Sequence, residues 1–327
     1  MKRREFITLL GGAVAWPLAA RAQQTDRVRR IGVLNLLAIN DEANTRIAVF
    51  REGLQKLGWT VGGNLRIEYR WAAGDPDRLR SYAAELVEMK PDVIFSIGTA
   101  SPWALREATS SVPIVFVQVP DPVELGLVAS LARPGGNMTG FGLWDQELSE
   151  KWPELLHDIA PLMTRIAFVC DPTNPACART LPILGRGAMR LGMQLGDAPV
   201  RSADEIEHAV NGLAREREGG LILFPSPTVE SQLDFIIALA ARHKLPSVYP
   251  YRHFVTRGGL ASYGIDLLDH YGGAASYVDR ILRGERPADL PVQLATQFQL
   301  AINLKTAKAL GLTIPEPFLQ RADEVIE

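Results

Sequence analysis

Short apolar runs rich in β-branched residues alternate with longer amphipathic segments along most of the chain. In the first half, strands are predicted at residues 31–34, 65–71, 93–97 and 114–117. The segments between them have helical spacing, since Ile47, Phe50, Leu54 and Leu57 form one apolar stripe that ends at Gly58. Repeated strand–helix units with short connections indicate a parallel sheet flanked by helices.

A second series of the same kind begins after Gly140. Its strands are predicted at residues 165–170, 194–200, 221–224, 247–249 and 260–263. Helices are predicted at residues 176–191, 229–243 and 266–283. A further helix is predicted to follow a capping box at residues 202–205. No repeat or flexible linker separates the two series, so two similar α/β halves are expected, joined by strands or tight loops.

The stretch from residue 118 to 140 follows the strand predicted at 114–117. Asp121, which a proline follows, predicts the start of a helix. That helix should stop at residues 133–136, because proline disfavours helical geometry in the residue before it and glycine permits positive φ. Ligands of open α/β sheets bind at the carboxyl ends of strands, so Gln118 and Asp121 are candidates for a binding loop.

Residues 1–22 have the composition of an export signal. A basic start containing the pair Arg3 and Arg4 precedes a short apolar stretch at residues 8–18, and small residues, Ala20 and Ala22, occupy the two cleavage-site positions. The apolar stretch is too short to span a bilayer. We therefore expect a twin-arginine-type signal peptide and a periplasmic location. No cysteine lies near the cleavage point, so no lipid anchor is expected.

Composition narrows the classes of partner. Residues 1–22 carry four basic residues and one acidic residue, so the formal net charge of −2 becomes −5 without them. This mild net negative charge argues against nucleic acid as a binding partner, because phosphate binding needs clustered lysine and arginine. No later apolar segment is long enough to cross a membrane, and the five histidines lack zinc-ligand spacing. We expect no nucleic-acid partner, no stable membrane insertion, no metal and no cofactor.

Two cysteines, Cys170 and Cys177, occur in the whole sequence. They could form a disulfide in an oxidising periplasm, provided that their Cα atoms lie within about 7 Å of each other. Alternatively, Cys170 is a small apolar residue at the end of a strand and Cys177 is unpaired in a helix. The sequence leaves both possibilities open.

Three segments, together with the export signal, resemble one known family. They are DPV…LVASLARPGGNMTG at residues 121–140, GGL…SYG at 258–264 and INLKTAKALG at 302–311. They resemble substrate-binding proteins of ABC importers, and the resemblance covers essentially the whole mature chain. It implies a type I periplasmic-binding fold, in which two α/β lobes are joined by three crossovers and hold a ligand in the cleft. Each lobe is expected to be a parallel sheet flanked by helices.

On this fold we expect an N-terminal lobe of residues 28–143 and 264–292, and a C-terminal lobe of residues 144–263 and 293–327. The resemblance implies an exported receptor that delivers a small molecule to an ABC permease. Some relatives are associated with tryptophan, phenylalanine or tyrosine, so an amino acid or related carboxylate is the expected ligand.

Two other functions compete with this one. Catalytic motifs such as Gly-x-Ser-x-Gly and the phosphate-binding Gly-x-x-x-x-Gly-Lys do not occur in the sequence, which argues against an enzyme. A periplasmic ligand sensor that acts on a membrane signalling partner would use the same two lobes, and it is the alternative.

The first-lobe candidates for the site follow predicted strands. Thr99, Ala100 and Ser101 begin a helix, where backbone N–H groups, two hydroxyls and the positive end of the helix suit a carboxylate. Ser101 could instead serve only as a helix cap. Asn35 could reach the cleft or be a turn residue, and Asp121 could cap its own helix instead of contacting ligand.

Other candidates lie in the second lobe and near the crossovers. Asp266 could pair with a ligand ammonium or only cap the following helix. Pro225, with Ser226, follows a strand and should face the cleft. Five aromatic residues lie near strand ends, namely Trp103, Trp144, Tyr249, Tyr251 and Tyr263. Such rings can stack on a flat ligand but are more often packed elsewhere, and we expect two of them, Trp144 and Tyr249, in the site.

Changing Arg3 and Arg4 together to lysine should leave the precursor in the cytoplasm, because a translocation receptor reads the arginine pair. Cell fractionation followed by immunoblotting measures the exported share. A Lys2→Arg variant keeps the pair and is the control. An unchanged periplasmic yield of the double variant would contradict the twin-arginine assignment.

Overall fold

The computed structural model describes residues 27–143, 149–215 and 218–327, so the predicted signal peptide and Trp144 lie outside the described residues. The elements of the first part are β1 (Arg29–Asn35), α1 (Asp41–Lys56), β2 (Leu65–Trp71), α2 (Pro76–Glu88), β3 (Val93–Ile97), α3 (Ala100–Ala108), β4 (Ile114–Val119) and β5 (Met138–Gly142).

The next elements are α4 (Lys151–Ile159), β6 (Arg165–Cys170), α5 (Pro175–Arg190), β7 (Gln194–Pro199), α6 (Ala203–Ala214), β8 (Gly219–Leu223), α7 (Pro227–Ser231), α8 (Leu233–Arg242), β9 (Ser247–Tyr249), α9 (Arg252–Thr256) and β10 (Ala261–Gly264). The last are α10 (Leu267–Leu282), a 3-10 helix (Pro287–Asp289), β11 (Gln293–Leu294), β12 (Gln299–Asn303), α11 (Leu304–Leu310), α12 (Glu316–Leu319) and β13 (Glu324–Ile326).

These strands form two separate sheets. The first has the order β11-β5-β4-β3-β1-β2, with parallel pairing throughout its described strands. The second has the order β13-β12-β10-β9-β8-β6-β7 and is parallel except where β10 meets β12. The described elements change sheet after β5, after β10 and after β11. The predicted α/β fold of two lobes joined by three crossovers is confirmed.

Helices cover both faces of the first sheet. On one face, α1 and α10 bury an aromatic group in which the Phe50 and Phe95 rings stack at 4.2 Å and Tyr271 meets Phe95 edge-on at 5.5 Å. On the other face, α2 and α3 pack through residues such as Leu79 and Leu105. Because α10 follows β10 of the second sheet, the first lobe is completed only after the chain has passed through the second. The numbered domain boundaries stay a prediction.

The prediction of a helix that begins at Asp121 is wrong. The segment forms consecutive turns, in which the Leu125 N–H donates to the Asp121 carbonyl at 3.0 Å. Positive φ at Asp121 (+43°) and Gly126 (+66°) interrupts a helical path. Leu125, Leu127 and Val128 are all buried, and their spacing does not lie on one helix face, so turns bury them where a helix could not.

A second prediction, one helix over residues 229–243, is also wrong. Two helices, α7 and α8, occupy this range and are separated at Gln232, whose ψ of +16° departs from helical geometry. The pattern also missed α9, because a five-residue helix leaves too short a stretch to reveal a period.

Gly140, in β5, lies where a side chain cannot fit. Its φ is +153°, and a Cβ placed there would overlap the carbonyl oxygen and crowd the nitrogen of Phe116 in β4. Glycine is therefore required by both backbone conformation and close approach.

Gly140→Ala should lower the free energy of unfolding by about 1–3 kcal/mol or more, through backbone strain and overpacking. Denaturant-induced unfolding followed by circular dichroism measures the loss. Gly136→Ala is the matched control, because Gly136 is exposed and a Cβ added there would meet no atom within 4 Å. Equal stabilities for the two variants would contradict this account.

Candidate ligand-binding site

A cavity of about 530 Å³ lies between the two lobes. The first lobe lines it with the loops after β1, β3, β4 and β5 and with faces of α1, α2 and α3. The second lobe lines it with the loops after β6, β8 and β9 and with α7. The carboxyl ends of the strands in both sheets therefore meet at one cleft, as expected for ligand sites of open α/β sheets.

The N-terminus of α3 lies at this cavity. Thr99 occupies the N-cap position but makes no side-chain capping hydrogen bond, and both Thr99 and Ala100 line the cavity. The hydroxyl of Ser101 is fully buried and has no hydrogen-bond partner among the described residues. The first-turn N–H groups and the positive end of the helix are thus available to a carboxylate.

Gln118 reaches the cavity from a β-bulge in β4. Pairing with β5 passes from Val117 to Val119 and skips the residue between them. Gln118 has a φ of +59°, in the left-handed region that residues other than glycine rarely adopt. Its Oε1 accepts a hydrogen bond from the Tyr271 hydroxyl at 3.2 Å. Backbone strain of this kind is often found at functional positions, where it directs a side chain towards a ligand.

Two charged side chains from different lobes, Arg46 of α1 and Glu230 of α7, line the cavity. His253 of α9 lies between them. Arg46 Nη2 is 3.3 Å from His253 Nδ1, and His253 Nε2 is 3.0 Å from Glu230 Oε2. Arg46 Nη2 also lies 3.9 Å from Oε2 of Glu42 on the same helix.

These contacts determine the charge state of Glu230. Burial opposes its ionised form, but the hydrogen bond from His253 and the positive charges of Arg46 and Arg257 outweigh burial and hold its pKa below the ordinary value. Glu230 is therefore a carboxylate at neutral pH.

Two tyrosines beside this group stay neutral. Burial raises the pKa of Tyr271 to about 12 and raises the pKa of Tyr251 further still. Both hydroxyls therefore keep their protons and can donate hydrogen bonds at neutral pH.

Apolar side chains form the remaining walls. Leu79, Trp103 and Leu143 come from the first lobe, and Phe224 and Pro225 come from the second. The guanidinium of Arg106 lies 3.7 Å from the centre of the Trp103 ring and restrains it by a cation–π contact. The lining therefore combines charged groups with surfaces that suit a flat apolar group.

A disulfide between Cys170 and Cys177 closes the second-lobe loop after β6, with the two Cα atoms 6.1 Å apart. Inside this loop, Asp171 accepts hydrogen bonds from the backbone N–H and the hydroxyl of Thr173 at 2.9 and 2.7 Å. Thr173 and Asn174 line the cavity. The disulfide and the Asp171 bonds thus hold the part of the loop that faces a ligand.

Half of the predicted site residues line the cavity, namely Asn35, Thr99, Ala100, Gln118 and Pro225. Ser101 is adjacent to them in the first turn of α3. Among the other aromatic residues considered, Trp103 and Tyr251 also line the cavity. Asn35 Oδ1 accepts a hydrogen bond from the Leu37 N–H at 3.0 Å, which orders the loop after β1.

Three predicted residues, Tyr249, Asp266 and Asp121, do not line the cavity. Tyr249 is buried in the core of the second lobe, and Asp266 is the N-cap of α10, where it accepts a backbone hydrogen bond at 2.9 Å. Asp121 accepts a backbone hydrogen bond within its turn at 3.1 Å. Trp144 lies outside the described residues. The ligand-binding roles of these residues stay predictions.

Sequence patterns missed Arg46, Glu230, His253 and Thr173. A signal existed for Arg46, which shares the buried face of α1 with the predicted apolar stripe, because a charge in such a stripe needs a partner. Glu230 and His253 lie on five-residue helices that carry no periodic pattern.

The described part of the chain contains no cluster of three or more histidine, cysteine, aspartate or glutamate residues able to hold a metal ion. None of the helices within the described ranges combines the length and apolar character needed to cross a membrane.

Comparison with known proteins adds an independent result. A sequence model of the family described as ABC transporter substrate binding protein matches residues 31–326. A curated relative, the tyrosine-binding protein of Clostridioides difficile (strain R20291), is 28% identical over 266 residues, which is 80% of this chain and 75% of the relative.

Two solved structures are similar over 91% of this chain and 99% of their own. The ABC domain of Streptococcus pneumoniae in complex with L-Trp is 25% identical, with a TM-score of 0.84. The ligand-free, open structure of a substrate-binding protein with adhesive properties from Clostridium difficile is 26% identical, with a TM-score of 0.68. At nearly equal identity, the overall structural similarity is greater to the L-Trp complex than to the open, ligand-free structure.

Replacing Cys170 and Cys177 together by alanine should lower the free energy of unfolding by about 2–3 kcal/mol, the value that chain entropy assigns to a loop this short. Denaturant unfolding measures the loss. The wild-type protein in reductant is the control and should match the double variant. If neither reduction nor substitution changes stability, the disulfide does not hold this loop.

Proposed function

Because the chain belongs to the family of ABC transporter substrate-binding proteins, we propose that it is an exported receptor that holds an amino acid between its lobes and delivers it to an ABC permease. The family supports the receptor role and the permease partner. The arginine pair in residues 1–22 supports export to the periplasm.

The observation that carries the ligand class is the presence of complementary groups in one cavity. An amino acid has a carboxylate and an ammonium group on the same carbon. The N-terminus of α3, with Thr99 and Ala100, offers donors for the carboxylate, and the ionised Glu230 offers an acceptor for the ammonium. The side-chain amides of Asn35 and Gln118 add polar groups to the cavity wall.

An aromatic side chain fits the remaining walls best. Trp103, Phe224 and Leu143 supply flat or apolar surface, on which an aromatic ring packs favourably. The relative named for tyrosine and the structure bound to L-Trp support the same choice. The proposed ligand is therefore an aromatic amino acid, and hinge closure of the lobes around it is the proposed mechanism.

A direct test is calorimetric titration and thermal shift of the mature protein with L-tyrosine and L-tryptophan. A ligand present at one hundred times its dissociation constant should stabilise the protein by about 2.7 kcal/mol. Binding of one of the two amino acids by both methods supports the proposal. If neither L-tyrosine nor L-tryptophan binds, the aromatic ligand class is contradicted.

Glu230→Gln should weaken amino-acid binding by about 10- to 100-fold, the loss that corresponds to a hydrogen bond with a charged group. The matching deaminated acids, hydroxyphenylpropionate and indolepropionate, should lose less than about threefold, because they carry no ammonium. Calorimetric titration of both ligand types gives the ratio.

Asp266→Asn is the matched control. It removes the charge of the other acidic candidate, and asparagine caps a helix as well as aspartate does. Equal losses for both ligand types in Glu230→Gln would remove Glu230 from the ammonium role. A selective loss of amino-acid binding in Asp266→Asn would transfer that role to Asp266.

A further inference from the structure

Arg46, His253 and Glu230 form a buried polar connection between the lobes. Arg46 is on α1 of the first lobe, whereas His253 and Glu230 are on α9 and α7 of the second. The Arg46 and His253 residues are only 7% and 8% exposed. The imidazole ring also stacks on Tyr251, with ring centres 5.8 Å apart, so its orientation is restrained.

Hydrogen-bond chemistry assigns a separate task to each imidazole nitrogen. A guanidinium can only donate, so His253 Nδ1 must be the acceptor of the Arg46 contact at 3.3 Å. A carboxylate can only accept, so His253 Nε2–H must donate to Glu230 at 3.0 Å. The two contacts are satisfied together by the neutral tautomer that carries its proton on Nε2.

Separation of the lobes would break one of these contacts and keep the other. Arg46 moves with the first lobe, so opening removes the donor from Nδ1. The Nε2 contact lies within the second lobe and is independent of closure. Opening also takes away the positive charge of Arg46, which contributes to holding Glu230 ionised.

We propose that His253 is a positioning residue that links closure of the lobes to recognition of the ligand ammonium. Nδ1 binds Arg46 only when the lobes are closed, and Nε2–H holds the Glu230 carboxylate in the orientation that accepts the ammonium. This inference rests on the proposed function, because it assigns Glu230 to an amino-acid ligand.

Two conservative variants separate the two tasks. An asparagine amide reaches the position of imidazole Nδ1, and a glutamine amide reaches the position of Nε2. His253→Asn therefore keeps an acceptor for Arg46 and loses the donor to Glu230. His253→Gln keeps the donor to Glu230 and loses the acceptor for Arg46. His208→Gln is the control, because His208 is an exposed residue on α6.

Each variant is titrated with L-tyrosine, L-tryptophan and their deaminated acids. The amine preference is the dissociation constant of the deaminated acid divided by that of the amino acid. His253→Asn should reduce this preference by about tenfold, and His253→Gln should weaken both ligand types by one common factor of about 3 to 10. His208→Gln should change neither quantity.

Small-angle scattering in saturating ligand then measures closure directly. His253→Gln should have a larger radius of gyration than the wild type, while His253→Asn should match it. Circular dichroism and thermal melting confirm that each variant is folded. The proposal is overturned if the two variants lose amine preference equally, or if neither variant changes preference or closure.

A separate readout distinguishes this inference from the proposed function. The imidazole nitrogen resonances of the ligand-free wild type should show a protonated Nε2 that shifts in Glu230→Gln, because this contact lies within the second lobe and does not depend on closure. If no amino acid binds the wild-type protein, the proposed ligand class fails and this readout alone decides the inference. An Nε2 that carries no proton, or one that is insensitive to Glu230→Gln, overturns it.

Discussion

The edge-on contact of Tyr271 with Phe95 joins the last third of the chain to the first lobe. It belongs to the core that α10 completes on the first sheet, after the chain has already built most of the second sheet. The same tyrosine hydroxyl donates to Gln118, which lines the cavity from a strained bulge. Packing of the first lobe and placement of a cavity side chain therefore depend on one residue beyond the second crossover.

Charge compensation is the second constraint on the cleft. An unpaired buried charge costs several kcal/mol, so the Arg46 and Glu230 side chains that line the cavity both need polar partners. His253 connects them across the lobes, and the closed arrangement satisfies all three groups. A zwitterionic ligand can enter this setting without adding net charge, which makes an amino acid electrostatically compatible with the cavity.

The part of the site on strand ends was predictable from the sequence. Asn35, Thr99 and Pro225 each follow an apolar strand, and the carboxyl ends of parallel strands meet at one edge. Arg46, Glu230 and His253 were not predictable in the same way, because they lie on helices of two lobes and meet only after the sheets face each other. The turns after Asp121 were missed because burial of apolar side chains overrode a local helix-start signal.

By itself, the sequence determined the alternation of strands and helices, the two-lobed class and the loops that face the cleft. Those features follow from local periodicity and from short connections, which act within one strand–helix unit. The tertiary structure alone decided that Cys170 and Cys177 are joined and that Arg46 meets Glu230 through His253. The contacts of Arg46 join residues far apart in the chain, and the disulfide depends on the conformation of the short loop between its cysteines. No local hydropathy pattern encodes either.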